Sequence, residues 1–138
     1  INGLVAADEV LIPIQAEYYA LEGLGQLLHT INLIQTHLKP TLGILGAVVT
    51  MYDPRNRLAN AVVGELKQHF PNKLFQTFIP RNVRLAEAPS YGQPVMLYDA
   101  ASRGAIAYDA LARELLLLIN HQPVDTNNSN ASFYGETV

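Results

Sequence analysis

Residues 74–95 read LFQTFIPRNVRLAEAPSYGQPV and join a short run of aromatic and β-branched residues to a polar loop. The run LFQTFIP predicts a buried strand, because such side chains fit a pleated, half-buried surface. The strand ends at Pro80, and Arg81 and Arg84 follow it within four residues. Ligands of open α/β sheets bind beyond the carboxyl ends of the strands. We therefore expect the functional site at this edge of the sheet.

Strands and helices alternate along the rest of the chain. EVLIPIQ at residues 9–15 and GILGAVVT at residues 43–50 are compact apolar runs that predict two further strands. Between them, leucine and isoleucine recur at three- and four-residue spacing, which predicts an amphipathic helix ending before Pro40. The residues of this apolar stripe are Leu21, Leu24, Leu27, Leu28, Ile31, Ile34 and Leu38.

Two more helices are predicted, over residues 58–70 and 106–119, with a long loop before the second. Their apolar stripes consist of Leu58, Val62, Leu66 and Phe70, and of Leu111, Leu115 and Leu118. The order β, α, β, α, β, loop, α implies parallel strands joined by crossover helices. The expected fold class is α/β: three parallel strands with flanking helices that form part of a larger doubly wound parallel sheet, because parallel sheets are usually covered on both faces.

Composition limits the class of protein. The chain has 138 residues, of which 49% are hydrophobic and 15% charged, so it forms at most one well-packed domain. The absence of cysteine excludes disulfides and cysteine nucleophiles. No apolar run reaches the roughly 20 residues of a membrane helix, and a cytoplasmic location is expected. From Gln122 the composition turns polar, which predicts a domain over residues 1–121 and a disordered tail over residues 122–138.

Basic residues are concentrated where loops are predicted. The net charge of −3 argues against nucleic-acid binding only if the charges are evenly spread. No lysine or arginine precedes Lys39. Five of the nine basic residues lie in segments rich in proline, glycine and asparagine: Arg55, Arg57, Arg81, Arg84 and Arg103.

Four segments carry a family resemblance. ADEVLIPIQAEYYALEGL (residues 7–24), VTMYDPR (49–55), IPRNVRLAEAPSYGQPV (79–95) and LYDAASRGAIAY (97–108) resemble, in order and spacing, the carboxyl-terminal half of the ParA/Soj chromosome- and plasmid-partitioning ATPases. These are P-loop NTPases of the deviant Walker type, related to MinD. The resemblance implies ATP with Mg²⁺ as cofactors, an ATP-dependent homodimer, non-specific DNA binding, a ParB-type centromere-binding partner, a nucleoid-associated location and no membrane contact.

The same resemblance implies DNA-contacting arginines. Arg55 and Arg84 match family positions that contribute to sequence-independent DNA binding, and Arg57 and Arg103 are candidate helpers. Guanidinium groups meet phosphate oxygens bidentately and release counterions without reading bases. The alternative is that these arginines form local hydrogen bonds at a solvated surface.

A nucleotide contact is implied on the same loop. Pro80, Arg81 and Asn82 match the loop that lies against the nucleotide base in this family, with Thr50 and Met51 as further candidates. Backbone groups and an asparagine amide can read a purine edge because both offer donors and acceptors. The alternative is a simple turn, since proline and asparagine are turn residues.

Other polar residues are interpreted structurally, and no catalytic residue is assigned. Asp53 is predicted to form a turn, and Asp99 to shape a loop and to bond Arg103. Glu17 either begins a helix, where the macrodipole favours acid, or lies near the nucleotide. The histidines are too widely spaced to predict a metal site: His29, His37, His69 and His121.

The phosphate-binding motif of such ATPases has no counterpart in these residues. No GxxxxGK[ST] pattern occurs, so this chain alone is not expected to hydrolyse ATP or to bind ATP and Mg²⁺ tightly. One alternative is a truncated, non-catalytic DNA- or partner-binding module, whose DNA binding would not depend on ATP. Another is a MinD-like membrane-cycling ATPase, which should end in an amphipathic helix, unlike NHQPVDTNNSNASFYGETV at residues 120–138.

Overall fold

The structure is a computed structural model that describes residues 1–121, so the tail predicted over residues 122–138 lies outside the described part. It contains strands β1 (Glu9–Gln15) and β2 (Gly43–Thr50) and helices α1 (Asn2–Ala6), α2 (Ala20–His37), α3 (Arg57–His69), α4 (Val83–Glu87), α5 (Val95–Tyr98) and α6 (Arg103–Asn120). A single 3₁₀ turn, Ala88–Tyr91, links α4 to α5. None of the helices within residues 1–121 has the length and apolar character to cross a membrane.

The two strands form a parallel pair with the bounds that the sequence predicts. Their register has one irregularity, because Val10 lies opposite Ile44 and Leu11 opposite Gly46. Leu45 is thus an extra residue in β2, which is a β-bulge. At this bulge Gly46 lies close to Lys73 and Phe75, which belong to the chain segment on the other side of β2.

The third predicted strand, residues 74–80, lies beside β2 in the predicted parallel direction. It pairs regularly only at its two ends, through the bridges of Ala47 with Leu74 and of Tyr52 with Pro80. The order across the sheet is therefore β1, β2 and then this segment. The prediction is correct in position and direction, but the pairing along the segment is incomplete.

A side chain from α6 replaces the missing sheet pairing. The Glu114 carboxylate accepts hydrogen bonds from the backbone N–H of Gln76 at 2.7 Å and of Thr77 at 2.9 Å. Flanking amides still reach β2, since Phe75 N–H donates to Ala47 at 2.8 Å. The segment is held by the sheet at its ends and by α6 in its middle.

Helices cover both faces of this sheet, as expected for a doubly wound fold. On one face, α2 and α3 bury their apolar stripes against alternate strand residues; this core includes Ile12, Ile14, Leu24, Ile31, Ile34, Ala47, Val49, Val62 and Leu66. On the other face, α6 packs over a smaller cluster of Val48, Phe75 and Ile79, with Leu11, Leu111 and Leu115 partly buried.

Three leucines predicted on apolar stripes are exposed. Leu38 follows the last residue of α2 and is 60% exposed, and Leu58 and Leu118 are also largely in contact with solvent. In α3 the buried face is turned away from Leu58, and it consists of Ala59, Val62, Val63 and Leu66. Exact four-residue spacing drifts around a helix of 3.6 residues per turn, which explains the exposure of Leu58.

The long predicted loop before α6 is built mostly from short helical pieces. Asn82 begins α4 by accepting a hydrogen bond from Arg84 N–H at 3.0 Å. Helix α4 then packs directly on α6 at Gly104, where a Cβ atom would lie 2.5 Å from the Leu85 Cγ atom. This close approach requires glycine and fixes α4 against the start of α6.

Candidate functional site

An open cavity of about 540 Å³ lies at the carboxyl ends of β2 and of residues 74–80. It brings together all five residues predicted to contact a nucleotide: Thr50, Met51, Pro80, Arg81 and Asn82. Its remaining walls are Gln15, Ile79, Val83, Leu85, Ala86 and Tyr108. The cavity is therefore mainly apolar, with a few polar groups at its edge, which is typical of small-molecule sites.

Met51 has a strained backbone at this cavity. Its φ of 52° lies in the left-handed region, which residues other than glycine, asparagine and aspartate rarely adopt. The backbone of the next residue, Tyr52, is fixed by two hydrogen bonds. Its N–H donates to the Ile79 carbonyl and its carbonyl accepts from Arg81 N–H, each at 3.1 Å. Such strain is concentrated at ligand-binding and switch regions.

Arg81 links the cavity to the end of β1. Its guanidinium donates to the Glu17 carboxylate at 3.3 Å, although the two residues are 64 positions apart in sequence. Both side chains are more than half exposed. Glu17 thus lies at the sheet edge beside the predicted nucleotide loop. The oxygen of the Asn82 amide caps α4 by accepting from Arg84 N–H.

A second cavity, of about 320 Å³, lies next to the first and is lined by three arginines. It is lined by Tyr52, Asp53, Pro54, Arg55, Arg81 and Arg103. Its three guanidinium groups outnumber the Asp53 carboxylate, so the charge of the lining is positive and attracts anions. Arg81 lines both cavities, so it forms the wall between them. Two of the four arginines predicted to contact DNA, Arg55 and Arg103, meet here.

Asp53 forms the predicted turn. Its carboxylate accepts three hydrogen bonds from Arg55: from Nε at 3.0 Å, from Nη2 at 2.9 Å and from the backbone N–H at 3.0 Å. The side-chain hydrogen bond, followed by the backbone one, lowers the pKa of Asp53 to about 2. The Arg55 side chain stays 88% exposed, so the turn presents it to solvent.

The Asp53 turn should resist acid. The folded pKa of about 2 lies below the ordinary value of 3.8, so the interaction stabilises the fold above pH 3.8 and is lost as the pH falls through 2. We expect the carboxyl carbon of Asp53 to titrate near pH 2 in an NMR experiment. In Arg55→Ala the midpoint should rise towards 3.8, and an unchanged midpoint would contradict the assigned contact.

Arg84 lies apart from both cavities and is bound by two carboxylates. Its Nη1 donates to Glu87 at 2.9 Å, and its Nε lies 3.3 Å from the Asp99 carboxylate. The prediction that Asp99 bonds Arg103 is therefore wrong, since its partner is Arg84. Arg57 begins α3 and lines neither cavity.

Tyr98, which the sequence analysis did not identify, completes the Arg84 cluster. Its hydroxyl donates to the Glu87 carboxylate at 2.8 Å, and its ring stacks on that of Tyr91 with centroids 5.1 Å apart. The hydrogen bonds of Tyr98 and then Arg84 lower the pKa of Glu87, and the Glu87 carboxylate raises the pKa of Arg84. Glu87 therefore stays ionised and bound to Arg84.

Within residues 1–121, no three His, Asp or Glu side chains are grouped so that they could hold a metal ion. His29 and His37 lie in α2, His69 ends α3 and His121 follows α6. His69 contacts the carbonyl of Glu65 in its own helix.

Comparison with known proteins identifies the type of chain. Residues 1–44 match the family model of an AAA domain. The chain is 55% identical over 115 residues to the sporulation initiation inhibitor protein Soj of Bacillus subtilis, and 52% identical over 116 residues to the chromosome partitioning protein ParA of Myxococcus xanthus. The chain is therefore similar to ParA/Soj-type partitioning proteins over less than half of their length. These alignments cover 83% and 84% of the chain, but only 46% and 41% of the relatives.

A solved structure supports the fold of this chain. The cobyrinic acid a,c-diamide synthase of Mycobacterium smegmatis, solved with ADP and magnesium, matches with a TM-score of 0.65 and 32% identity, over 87% of this chain and 42% of that protein. The predicted fold class, part of a doubly wound α/β sheet of the P-loop NTPase type, is confirmed. The chain spans about half the length of the curated relatives it matches.

Proposed function

We propose that this chain supplies the base-binding loop and the DNA-binding surface of an ATP-driven partitioning switch in the cytoplasm. In this cycle ATP with Mg²⁺ joins two subunits, the dimer binds DNA without sequence preference, and a ParB-type partner stimulates hydrolysis and releases the DNA. The proposal is supported by the identity of 52–55% to relatives named Soj and ParA. Different DNA affinities of the two nucleotide states drive such a cycle.

The observation that carries the proposal is the cavity that brings Thr50 and Met51 together with residues 80–82. Its apolar walls suit the faces of a purine, and the polar groups of Arg81 and Asn82 suit its edge. Residues 1–121 offer no cluster of acidic side chains for the Mg²⁺ ion. The contribution proposed for this chain is to the base of the nucleotide, and a bound Mg²⁺ would neutralise phosphate charge.

DNA phosphate fits the arginine-lined cavity beside this site. Arg55 and Arg103 share it with Arg81, and guanidinium groups bind phosphate oxygens bidentately. Because Arg81 borders both cavities, a nucleotide at one and a phosphate at the other would contact the same side chain. This shared wall gives the nucleotide a physical route to alter DNA affinity.

Removal of Arg55 and Arg84 together should weaken DNA binding. In the intact protein with ATP and Mg²⁺, the double alanine variant should bind random-sequence DNA less tightly, with the slope of log affinity against log salt reduced by about 2, because each lost phosphate contact removes about 0.9. Fluorescence anisotropy at several salt concentrations measures both quantities. Arg113→Ala is the matched control, since Arg113 is an exposed cation on α6 that lines neither cavity. Unchanged binding by the double variant would refute the DNA assignment.

Dependence on ATP separates the proposed switch from a non-catalytic DNA-binding module. The parent protein should bind DNA strongly with ATP and Mg²⁺, and weakly with ADP or without nucleotide. Equal affinity in all three conditions would favour the non-catalytic module.

A further inference from the structure

Arg84 lies in a cluster that is not positively charged as a whole. Its guanidinium carries one positive charge, and Glu87 and Asp99 each contribute a negative charge at 2.9 Å and 3.3 Å, which leaves a net charge of −1. A DNA phosphate approaching this cluster meets repulsion unless Arg84 leaves its partners. The proposed DNA contact by Arg84 therefore requires an exchange of partners.

The two residues that bind Arg84 have further contacts of their own. Glu87 accepts the Tyr98 hydroxyl at 2.8 Å in addition to Arg84, and Tyr98 stacks on Tyr91. The Asp99 carbonyl accepts a hydrogen bond from Ser102 N–H at 3.1 Å, which ties this residue to the start of α6. The Glu87 carboxylate is thus fixed by Tyr98 and the backbone of Asp99 by the start of α6, whereas the end of the Arg84 side chain is held only by these two carboxylates.

Arg55 shows the contrast. It is bound by one carboxylate and its side chain is 88% exposed, whereas Arg84 is bound by two and is 51% exposed. The two arginines that the family resemblance assigns to DNA thus differ in how strongly the protein restrains them. Of the two, only Arg84 has a partner outside its own turn or helix, since Asp99 lies at the end of α5.

We propose that Glu87 and Asp99 form a carboxylate clamp that restrains Arg84 and lowers the DNA affinity of the protein. This inference rests on the proposed function. Carboxylate and phosphate compete for the same guanidinium donors. Because the pairs are exposed, they are weak enough for a phosphate to displace. The clamp therefore permits binding while keeping it readily reversible.

Neutralising the clamp should strengthen DNA binding. In the intact protein with ATP and Mg²⁺, we expect Glu87→Gln combined with Asp99→Asn to bind random-sequence DNA about threefold to tenfold more tightly at low salt, with little change in salt slope, because Arg84 then makes the same phosphate contact without first leaving its carboxylate partners. Glutamine keeps an oxygen for the Tyr98 hydroxyl, so the local fold is preserved. A thermal melt of the variant checks this point.

The decisive comparison repeats these substitutions in an Arg84→Ala background. If the clamp acts through Arg84, most of the gain disappears there. Asp109→Asn is the matched control, because Asp109 also pairs with an arginine Nε, at 2.8 Å, on α6; it should change affinity little.

Each other outcome overturns the clamp. Equal gains with and without Arg84 would show general charge repulsion, and a loss of affinity would show that the carboxylates position Arg84 for DNA. Failure of the parent protein to bind DNA in any nucleotide state would overturn the proposed function and the clamp together. If the parent protein binds DNA but the gains are equal with and without Arg84, or the affinity falls, the clamp alone is overturned.

Discussion

A Gly46→Ala substitution is expected to destabilise the protein by about 3 kcal/mol, at the upper end of the usual cost of overpacking. The added Cβ would lie 2.6 Å from the Lys73 carbonyl oxygen and 2.7 Å from the Phe75 ring. The carbonyl has little room to move, because it accepts a hydrogen bond from Ala47 N–H at 2.9 Å. The clash therefore separates the segment that follows Lys73 from β2. A reduced midpoint of urea-induced unfolding measures the effect.

Gly64→Ala is the matched control for this prediction. A Cβ at Gly64 in α3 would meet no atom within 4 Å, and alanine in a helix is more favourable than glycine by about 0.8–1.0 kcal/mol. The two substitutions should thus change stability in opposite directions. Equal midpoints for Gly46→Ala and the parent would contradict the close approach at the bulge.

The second large effect is expected for Glu114→Ala. The substitution leaves the amides of Gln76 and Thr77 without their carboxylate partner, and losing hydrogen bonds to a charged group costs about 1.5–3 kcal/mol. The cost should lie near 2 kcal/mol because Gln76 is exposed and water can reach its N–H. Urea-induced unfolding measures the loss, and amide hydrogen exchange at the two residues should accelerate.

Two variants limit the interpretation of Glu114→Ala. Glu114→Gln retains one acceptor oxygen and should give an intermediate loss of stability. Glu65→Ala removes an exposed carboxylate from α3 and should change the midpoint little. If Glu114→Ala behaves like Glu65→Ala, the carboxylate does not hold the segment.

The parts of the fold that could be predicted are those set by local sequence. The bounds of β1 and β2 follow from compact apolar runs, and α2 follows from a stripe at helical spacing. The third strand was only partly predictable. Its residues have the right composition, but the amides of Gln76 and Thr77 bind a carboxylate 38 and 37 positions away. No local pattern reveals such a partner.

The same limit applies to the candidate site. The five nucleotide-contact residues were predicted from a family resemblance, and the structure places them around one cavity; their binding role stays a prediction. The contact of Arg84 with Glu87 could have been anticipated from their spacing of three residues on a helix. Its contact with Asp99 could not, because it depends on how α5 folds back over α4. The Glu17 contact with Arg81 likewise arises only from the sheet topology.

Helix α6 holds two otherwise separate parts of the site. Near its start, Gly104 packs against Leu85 of α4, the helix that contains Arg84. Three turns later, Glu114 accepts two hydrogen bonds from the segment that leads to Pro80 and Arg81. The helix thus connects α4 and residues 74–80 through two separate contacts. A tilt of α6 would therefore reposition the loop beside the first cavity and the arginine outside it in a single movement, without any change in the strands between them.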